Sequence, residues 1–295
     1  MTKIIIPTVT PFNNRKIDER GIEKLIKRSY KYADVFFCLG FTGEFNYLNL
    51  EEKEKVILTY KNTIEREAEK SGRHVPLIAG ISSRAAEETY KLVNFLEKNK
   101  IETSVIIPYF CSKDKGMKLV KQISNYNKVM LYNNPSITGK NLLEEDFEEL
   151  AQLKGVIGMK DSSGDLERFK RYLEIAKKYN KNIFQGSENL IADSLLLGAQ
   201  GFVPAMANVF PEIFEKLRIS YEDENFARTK RYQDEISYIR DTYIGAVIPI
   251  LKKTLALEGI CTEKFRIKTK LSKKEIDARA KGMKFTYYIL RNEWP

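Results

Sequence analysis

Three residues of types that can do carbonyl chemistry stand at the ends of short apolar runs or in the turns that follow them. Lys160 ends one run, and turn-forming residues follow at once. An apolar wall disfavours the ammonium form and so favours the free amine, which can attack a ketone to form an imine. Tyr132 ends another run and could move protons as a general acid and base. Thr42 lies in the turn of residues 40–44, the cradle turn, where backbone amides and a hydroxyl could hold an anion.

Each of these three residues also has an ordinary structural explanation. The chain has 50 Lys and Arg residues and 16 tyrosines, so a surface lysine and a packing tyrosine are the default interpretations when each is taken alone. The cradle turn could simply join a strand to a helix. If all three lie on one face, however, they combine an anion cradle, an imine-forming amine and a proton shuttle. That combination suits a 2-oxo acid such as pyruvate.

The elements that must position these residues alternate regularly. Eight short apolar runs alternate with eight helical patterns over residues 1–220. This predicts the α/β class, as a (β/α)8 TIM barrel whose active site lies at the carboxyl ends of the strands. A doubly wound open sheet is the alternative, but the first strand–helix turn has no G-x-G-x-x-G sequence. Residues 221–295 read as a C-terminal three-helix appendage, which we expect to be a separate helical domain.

Composition narrows the classes of function. The net charge of +10 could attract nucleic acid, but 40 acidic residues are mixed with the basic ones, so we expect no nucleic-acid partner. One histidine, His74, and three scattered cysteines provide no zinc-binding set, so we expect no metal. No apolar run has the length of a membrane span or a signal peptide, which favours a cytoplasmic protein without a membrane partner.

Three sequence segments resemble motifs of a known family. Residues 40–44 read G-F-T-G-E, similar to G-S/T-T-G-E, residues 132–135 read Y-N-N-P, similar to Y-N-x-P, and residues 158–161 read G-M-K-D, similar to G-I/V-K-D/E/Q. The chain thereby resembles, over essentially its whole length, the pyruvate-dependent class I aldolase family of dihydrodipicolinate synthase and N-acetylneuraminate lyase.

The resemblance implies a carbon–carbon lyase that acts through a covalent intermediate. Lys160 would form a Schiff base with pyruvate, and Tyr132 would shuttle the proton. Thr42, together with the backbone amides of Phe41 and Thr42, would hold the pyruvate carboxylate. No cofactor is implied besides this Schiff base, and the expected partners are pyruvate and a small sugar acid. Family members are commonly tetramers, so the resemblance also implies a homotetramer.

Departures from the family pattern bear on the second substrate. The synthases usually carry an arginine two residues after the Y-N-x-P proline, where this chain has Ile137. They also relay protons through a threonine and a second tyrosine, at positions that here hold Phe41 and Phe110. The chain is instead similar to 2-keto-3-deoxygluconate aldolases, which share a G-S-D/E turn and a K-D-S/T step at the lysine. We therefore predict cleavage of 2-keto-3-deoxygluconate to pyruvate and glyceraldehyde, with the galactonate epimer as a further candidate.

The alternatives are dihydrodipicolinate synthesis from pyruvate and aspartate semialdehyde, another pyruvate lyase such as N-acetylneuraminate lyase, and a non-catalytic pyruvate-binding protein. The stereochemistry of the substrate and a phosphate on its C6 stay open. Tyr109 is expected near the site at a subunit contact. The residues expected to bind substrate or line the pocket are Pro7, Phe41, Thr42, Gly43, Tyr109, Ser162, Gly186, Glu188 and Ala205.

Overall fold

Eight parallel strands form a closed barrel in the computed structural model, which describes residues 1–292. Each strand pairs with its neighbours in chain order, and the last pairs with the first. The predicted (β/α)8 TIM barrel is thus confirmed. The barrel strands are β1 (Lys3–Pro7), β2 (Val35–Cys38), β3 (Leu77–Gly80), β4 (Thr103–Ile106), β5 (Lys128–Asn133), β6 (Val156–Asp161), β7 (Asn182–Gln185) and β8 (Gly201–Phe202).

A helix follows each strand and covers the outside of the barrel. Asp18 caps the first helix by accepting from the Gly21 N–H, and Pro211 occupies the first turn of the eighth. Phe147 and Phe169 project from the fifth and sixth helices and are fully buried, so the core lies between strands and helices. The helices are α1 (Glu19–Ser29), α2 (Leu50–Ser71), α3 (Ala86–Lys98), α4 (Lys113–Ile123), α5 (Glu144–Ala151), α6 (Leu166–Lys178), α7 (Ile191–Leu197) and α8 (Pro211–Glu222).

Short elements in the connecting segments escaped the sequence analysis. A two-stranded hairpin, Phe12–Asn13 with Lys16–Ile17, precedes α1. A single-turn helix, Pro135–Thr138, follows β5. Three 3-10 turns lie at Phe45–Tyr47, Glu188–Leu190 and Ala205–Asn208. Elements this short leave no periodic pattern in the sequence, so only the folded chain reveals them.

The three predicted C-terminal helices are present as α9 (Phe226–Asp241), α10 (Val247–Leu257) and α11 (Lys273–Asn292). A capping box precedes the last of them, because the side chains of Ser272 and Glu275 each accept a hydrogen bond from the other residue's backbone N–H group. Within residues 1–292, no helix is both long and apolar enough to cross a membrane.

The register of β5 and β6 decides which side chains face the barrel interior. Tyr132 pairs with Lys160, and the next residues, Asn133 and Asp161, pair with each other. Because side chains alternate along a strand, each pair shares one face of the sheet. Asn133 donates to the Asp161 carboxylate at 2.6 Å, which ties the two strand ends together on the outer face. The inner face therefore receives Tyr132 and Lys160 side by side.

Candidate active site

Lys160 is buried inside the barrel among aromatic rings. Its side chain is only 4% exposed, and Nζ lies 4.3 Å from the ring centroid of Tyr132 and 5.6 Å from that of Phe37. Within the described part of the chain, this Nζ forms no hydrogen bond and no ion pair. Both rings lie within cation–π distance of Nζ, and the burial of the side chain keeps the amine away from bulk water. The environment therefore suits an amine that reacts with a carbonyl group.

Gly186, immediately after β7, makes room for the lysine. Its N–H donates to the Asp161 carbonyl at 2.6 Å, so the two strand ends approach closely. A Cβ on Gly186 would lie 2.1 Å from Ser162 Oγ, 2.7 Å from the Asp161 carbonyl oxygen and 2.9 Å from Lys160 Cε. Such distances are too short for any side chain without displacing neighbouring atoms. The structure thus brings Gly186, Ser162 and Lys160 together.

Gly186→Ala is expected to lower the rate at which Lys160 is labelled by pyruvate and borohydride by about tenfold or more, because the methyl group displaces the lysine side chain. Overpacking should also lower the free energy of unfolding by about 1–3 kcal/mol. The matched control is Gly282→Ala in α11, where the described residues place no heavy atom within 4 Å of the added methyl. This control should gain about 0.5–1 kcal/mol and leave labelling unchanged. Wild-type labelling of Gly186→Ala would contradict the close approach.

Tyr132 is buried beside the lysine, and its hydroxyl has a partner on its own strand end. The ring of Phe37 packs edge-on against it, with centroids 6.3 Å apart. The Asn134 amide Nδ2 donates to the Tyr132 hydroxyl at 2.8 Å. Phe110, one of the departures from the family pattern, packs against Phe45, and their ring centroids lie 5.1 Å apart. The tyrosine is therefore positioned by its own strand end and by Phe37.

The cradle turn presents unpaired donors. Its shape is held by the Gly43 N–H, which donates to the Gly40 carbonyl at 3.1 Å, and by Thr10, whose hydroxyl donates to the Gly43 carbonyl at 2.7 Å. The backbone N–H groups of Phe41 and Thr42 and the Thr42 hydroxyl have no acceptor within residues 1–292. Thr42, which supplies two of these three donors, is buried, and three donors in one turn can hold a carboxylate.

A buried ion pair attaches the cradle turn to the C-terminal helices. Glu44 Oε1 lies 2.5 Å from Lys252 Nζ, and both side chains are completely buried. The Arg266 N–H also donates to the Glu44 carboxylate, at 2.5 Å, and Lys252 donates to the Thr10 carbonyl at 2.6 Å. Burial lowers the pKa of Lys252, and the Glu44 carboxylate opposes that shift. The sequence analysis missed Lys252, although a lysine inside the apolar run of α10 was a usable signal.

Glu188 is a second buried carboxylate near Lys160. The Met206 N–H donates to its Oε1 at 2.7 Å, the Tyr243 hydroxyl donates to its Oε2, and Arg240 Nε lies 4.0 Å away. Burial raises the pKa of Glu188. The hydrogen bonds from the Met206 N–H and Tyr243, and the charges of Arg240 and Lys160, act in the opposite direction. Tyr243 and Arg240 come from the C-terminal part of the chain and were not foreseen. Within residues 1–292, no group of three His, Cys, Asp or Glu side chains could hold a metal ion.

Pro7 and Ala205 lie where the first and last strands of the barrel end. Their carbonyl oxygens accept from the same Asn208 side-chain amide, at 2.8 and 2.7 Å. Asn208 Oδ1 accepts from the Val9 N–H at 3.0 Å. Asn208 therefore joins β1 to the segment after β8, and it was not identified from the sequence. Pro7 and Ala205 are brought to the same end of the barrel as the lysine.

Tyr109 is engaged with α5 and not with the lysine. Its hydroxyl donates to Asp146 and accepts from the Leu143 N–H at 3.3 Å, and Lys113 pairs with Asp146 at 2.8 Å. Within the described residues, no hydrogen bond or ring contact joins Tyr109 to Lys160. Its position near a subunit contact stays a prediction.

Comparison with known proteins agrees with this geometry. The Dihydrodipicolinate synthetase family matches residues 1–282. A 4-hydroxy-tetrahydrodipicolinate synthase of Wigglesworthia glossinidia brevipalpis is 30% identical, over 93% of each chain. The structure is similar to that of YagE, a prophage protein of the dihydrodipicolinic acid synthase family from E. coli K12 in complex with pyruvate. That match has a TM-score of 0.87 and 23% identity, and covers 97% of this chain and 98% of YagE.

N-acetylneuraminate lyase from Mycoplasma synoviae has the same fold, with a TM-score of 0.81, 22% identity and 97% of each chain covered. Enzymes of this family are class I, pyruvate-dependent aldolases and lyases. They form a Schiff base between pyruvate and a lysine, need no cofactor and use an aldehyde as the other small-molecule substrate. The chain therefore belongs to the dihydrodipicolinate synthetase family, as a pyruvate-dependent carbon–carbon lyase.

Proposed function

We propose that this enzyme cleaves 2-keto-3-deoxygluconate to pyruvate and glyceraldehyde, with Lys160 as the Schiff-base lysine. The observation that carries the chemistry is a buried lysine that forms no ion pair with residues 1–292 and whose Nζ lies 4.3 Å from the Tyr132 ring centroid. The free donors of the cradle turn support a carboxylate-bearing substrate, which would be oriented with its 2-oxo group toward the amine. Binding and reaction would then occur at neighbouring strand ends.

The first chemical step is imine formation. The Lys160 amine attacks C2 of the substrate ketone to give a carbinolamine. The carbinolamine hydroxyl takes up a proton from solvent and leaves as water, which gives a protonated imine. The cradle turn holds the C1 carboxylate through three donors, which are the backbone N–H groups of Phe41 and Thr42 and the Thr42 hydroxyl. Fixing the carboxylate orients C2 toward the amine, which lowers the entropic cost of the attack.

The second step breaks the carbon–carbon bond. Tyr132, as phenolate, accepts the proton of the C4 hydroxyl, the C3–C4 bond breaks, and glyceraldehyde leaves. The electron pair moves to C3 and is delocalised onto the cationic imine nitrogen, giving an enamine. Tyr132 then returns a proton to C3, and water hydrolyses the imine to release pyruvate. Ser162 and Glu188 are proposed to bind hydroxyl groups of the sugar chain.

The choice of a sugar acid rests on side chains that lack charge or hydroxyl groups. Ile137, a half-buried apolar residue in the single-turn helix, stands where the resemblance leads one to expect an arginine. The enzyme would then offer no guanidinium group at this position to bind the carboxylate of an amino-acid aldehyde. Phe41 and Phe110 likewise supply no hydroxyl for the proton relay of the synthases. Glu188, in contrast, offers a carboxylate, which accepts hydrogen bonds from hydroxyl groups well.

A second candidate is the synthase reaction, which condenses pyruvate with aspartate semialdehyde. The printed name of the Wigglesworthia relative, 4-hydroxy-tetrahydrodipicolinate synthase, favours it. The solved N-acetylneuraminate lyase with the same fold makes sialic acid cleavage a third candidate. All three reactions pass through an enamine of pyruvate on the lysine, and they differ in the aldehyde that this enamine releases or accepts.

Labelling of Lys160 tests the imine mechanism, and a comparison of kcat/KM values identifies the preferred substrate. Incubation with pyruvate and borohydride should add one reduced pyruvate, located at Lys160 by peptide mass mapping. The value of kcat/KM for 2-keto-3-deoxygluconate should exceed that for aspartate semialdehyde with pyruvate by at least about tenfold, since an unpaired carboxylate costs 1.4 kcal/mol or more. A preference for the semialdehyde would overturn the sugar-acid assignment, and failure to label Lys160 would overturn every imine mechanism. The galactonate epimer and the 6-phosphates belong in the same assay.

We also propose that residues 1–220 and 221–295 form two domains and that four chains assemble into a homotetramer. The resemblance to the family supports the assembly, and the change from alternating strands and helices to helices alone supports the boundary. Light scattering should then give a mass four times that of the 34.2 kDa chain. A mass equal to one chain would overturn the tetramer.

A further inference from the structure

Asn134 lies two residues beyond Tyr132 and shares its face of the sheet. Side chains alternate along the strand, so Asn133 points outward and Asn134 points inward, where it is almost completely buried. The backbone carbonyl oxygen of Asn134 accepts hydrogen bonds from the Ile137 N–H at 3.1 Å and from the Thr138 N–H at 3.2 Å. These bonds begin the single-turn helix after β5 and fix the backbone from which the Asn134 side chain projects.

A chain of hydrogen bonds runs through Asn134 from the surface to the barrel interior. The hydroxyl of Ser136, an exposed residue, donates to Asn134 Oδ1 at 2.5 Å. Asn134 Nδ2 in turn donates to the Tyr132 hydroxyl at 2.8 Å. No other hydrogen bond to that hydroxyl is formed by residues 1–292. The Ser136 contact holds the amide with its NH2 group toward the tyrosine.

The direction of the Asn134 contact has a chemical consequence. A phenol carries one hydrogen and can accept hydrogen bonds at its oxygen. Because Asn134 donates, it uses the acceptor capacity of Tyr132 and leaves the phenolic hydrogen free for the substrate. After the hydrogen has left, the same N–H group faces a phenolate, and a hydrogen bond to a charged oxygen is stronger than one to a neutral oxygen. The contact therefore favours both forms through which a proton shuttle passes.

We propose that Asn134 is a positioning residue that keeps the Tyr132 hydroxyl oriented for proton transfer at C3 and C4, in a chain whose Phe41 and Phe110 supply no hydroxyl partner. Asn134 itself touches neither substrate nor the reacting atoms. This inference rests on the proposed roles of Lys160 and Tyr132 and concerns the proton-transfer steps alone. Imine formation at Lys160 does not depend on the Asn134 contact.

Two variants of similar shape separate the donated hydrogen bond from mere packing. Asn134→Leu removes the donor, and Asn134→Asp replaces it by a carboxylate that can still accept from Ser136 but would bind the phenolic hydrogen of Tyr132. Two measurements are made on each full-length variant with pyruvate. Borohydride trapping reports imine formation, and exchange of the pyruvate methyl hydrogens with deuterium oxide reports proton removal from C3. In that exchange the C3–H bond breaks, Tyr132 takes the proton, and the electron pair moves onto the imine nitrogen.

Trapping by both variants should stay within about twofold of the wild type, whereas exchange should fall about tenfold to a hundredfold in Asn134→Leu and further in Asn134→Asp. A purely structural role predicts the opposite order, because the aspartate keeps the contact with Ser136. Wild-type exchange in Asn134→Asp, or a parallel loss of trapping and exchange, would overturn the inference. If the wild-type enzyme itself neither traps nor exchanges pyruvate, the proposed function falls and this inference falls with it.

Discussion

Replacing Lys160 by methionine is expected to lower turnover by on the order of 10⁴-fold or more, because the covalent imine and its electron sink are lost together. The fold should survive. The lysine is buried and forms no ion pair among the residues that the structure describes, so an apolar side chain of similar length can take its place and keep packing against the rings of Tyr132 and Phe37. Steady-state cleavage of 2-keto-3-deoxygluconate and thermal unfolding measure the two effects separately.

The matched control for this substitution is Lys181→Met. Lys181 is a half-buried lysine just before β7, at the opposite end of the barrel strands, and its Nζ donates to the Leu153 carbonyl at 3.0 Å. Turnover by this variant should stay within about twofold of the wild type, because the active site of a barrel enzyme lies at the carboxyl ends of the strands. Borohydride-trapped pyruvate on a lysine other than Lys160, or turnover of Lys160→Met within about tenfold of the wild type, would reject Lys160 as the Schiff-base residue.

Lys252→Met is expected to lower the free energy of unfolding by about 3–5 kcal/mol, because it leaves the Glu44 carboxylate buried without its ion-pair partner. The same change should raise the KM for 2-keto-3-deoxygluconate, because Glu44 ends the cradle turn that would hold the substrate carboxylate. The double variant Glu44→Gln with Lys252→Met removes both charges and should recover part of the lost stability. Urea denaturation of the single and double variants, analysed as a double-mutant cycle, measures the coupling.

A partly exposed ion pair provides the comparison for the buried one. Lys61, a half-buried residue, and the exposed Glu65 form an ion pair at 2.6 Å on α2, one helical turn apart. Lys61→Met should cost no more than about 0.5 kcal/mol, because water and salt screen the pair. If Lys252→Met costs as little as Lys61→Met, the buried pair does not hold the cradle turn to the C-terminal helices. An unchanged KM for 2-keto-3-deoxygluconate together with a large loss of stability would restrict the role of the buried pair to folding.

The lysine and the tyrosine could be predicted because their signals are local in the sequence. Each ends an apolar run, and each is followed by a polar residue that points the other way, Asn133 after Tyr132 and Asp161 after Lys160. Strand alternation then assigns one residue of each pair to the interior and the other to the outer face. The regular alternation of strands and helices predicted the barrel, and the barrel predicted that both strand ends lie at one end of the molecule.

The contact made by the Asn134 side chain could not be predicted from the sequence. Its position after Tyr132 was evident, but nothing in the order Y-N-N-P tells whether its amide reaches the tyrosine, the solvent or the backbone. The single-turn helix decides this by fixing the Asn134 backbone and bringing Ser136 against its side-chain oxygen. The orientation of Tyr109 toward Asp146 is a second contact of this kind, because α5 supplies the carboxylate.

The sequence by itself determined the barrel, the family resemblance and the three residues from which the proposed mechanism starts, because alternation and short motifs act over a few residues. Only the tertiary structure decided what holds those residues in position. Glu44 meets Lys252, and Glu188 meets Tyr243, because the helices after the barrel fold back against its strand ends. Such contacts join residues that are distant in the chain and depend on how the barrel closes and how those helices pack. The buried, aromatic environment of Lys160 is likewise a product of that closure.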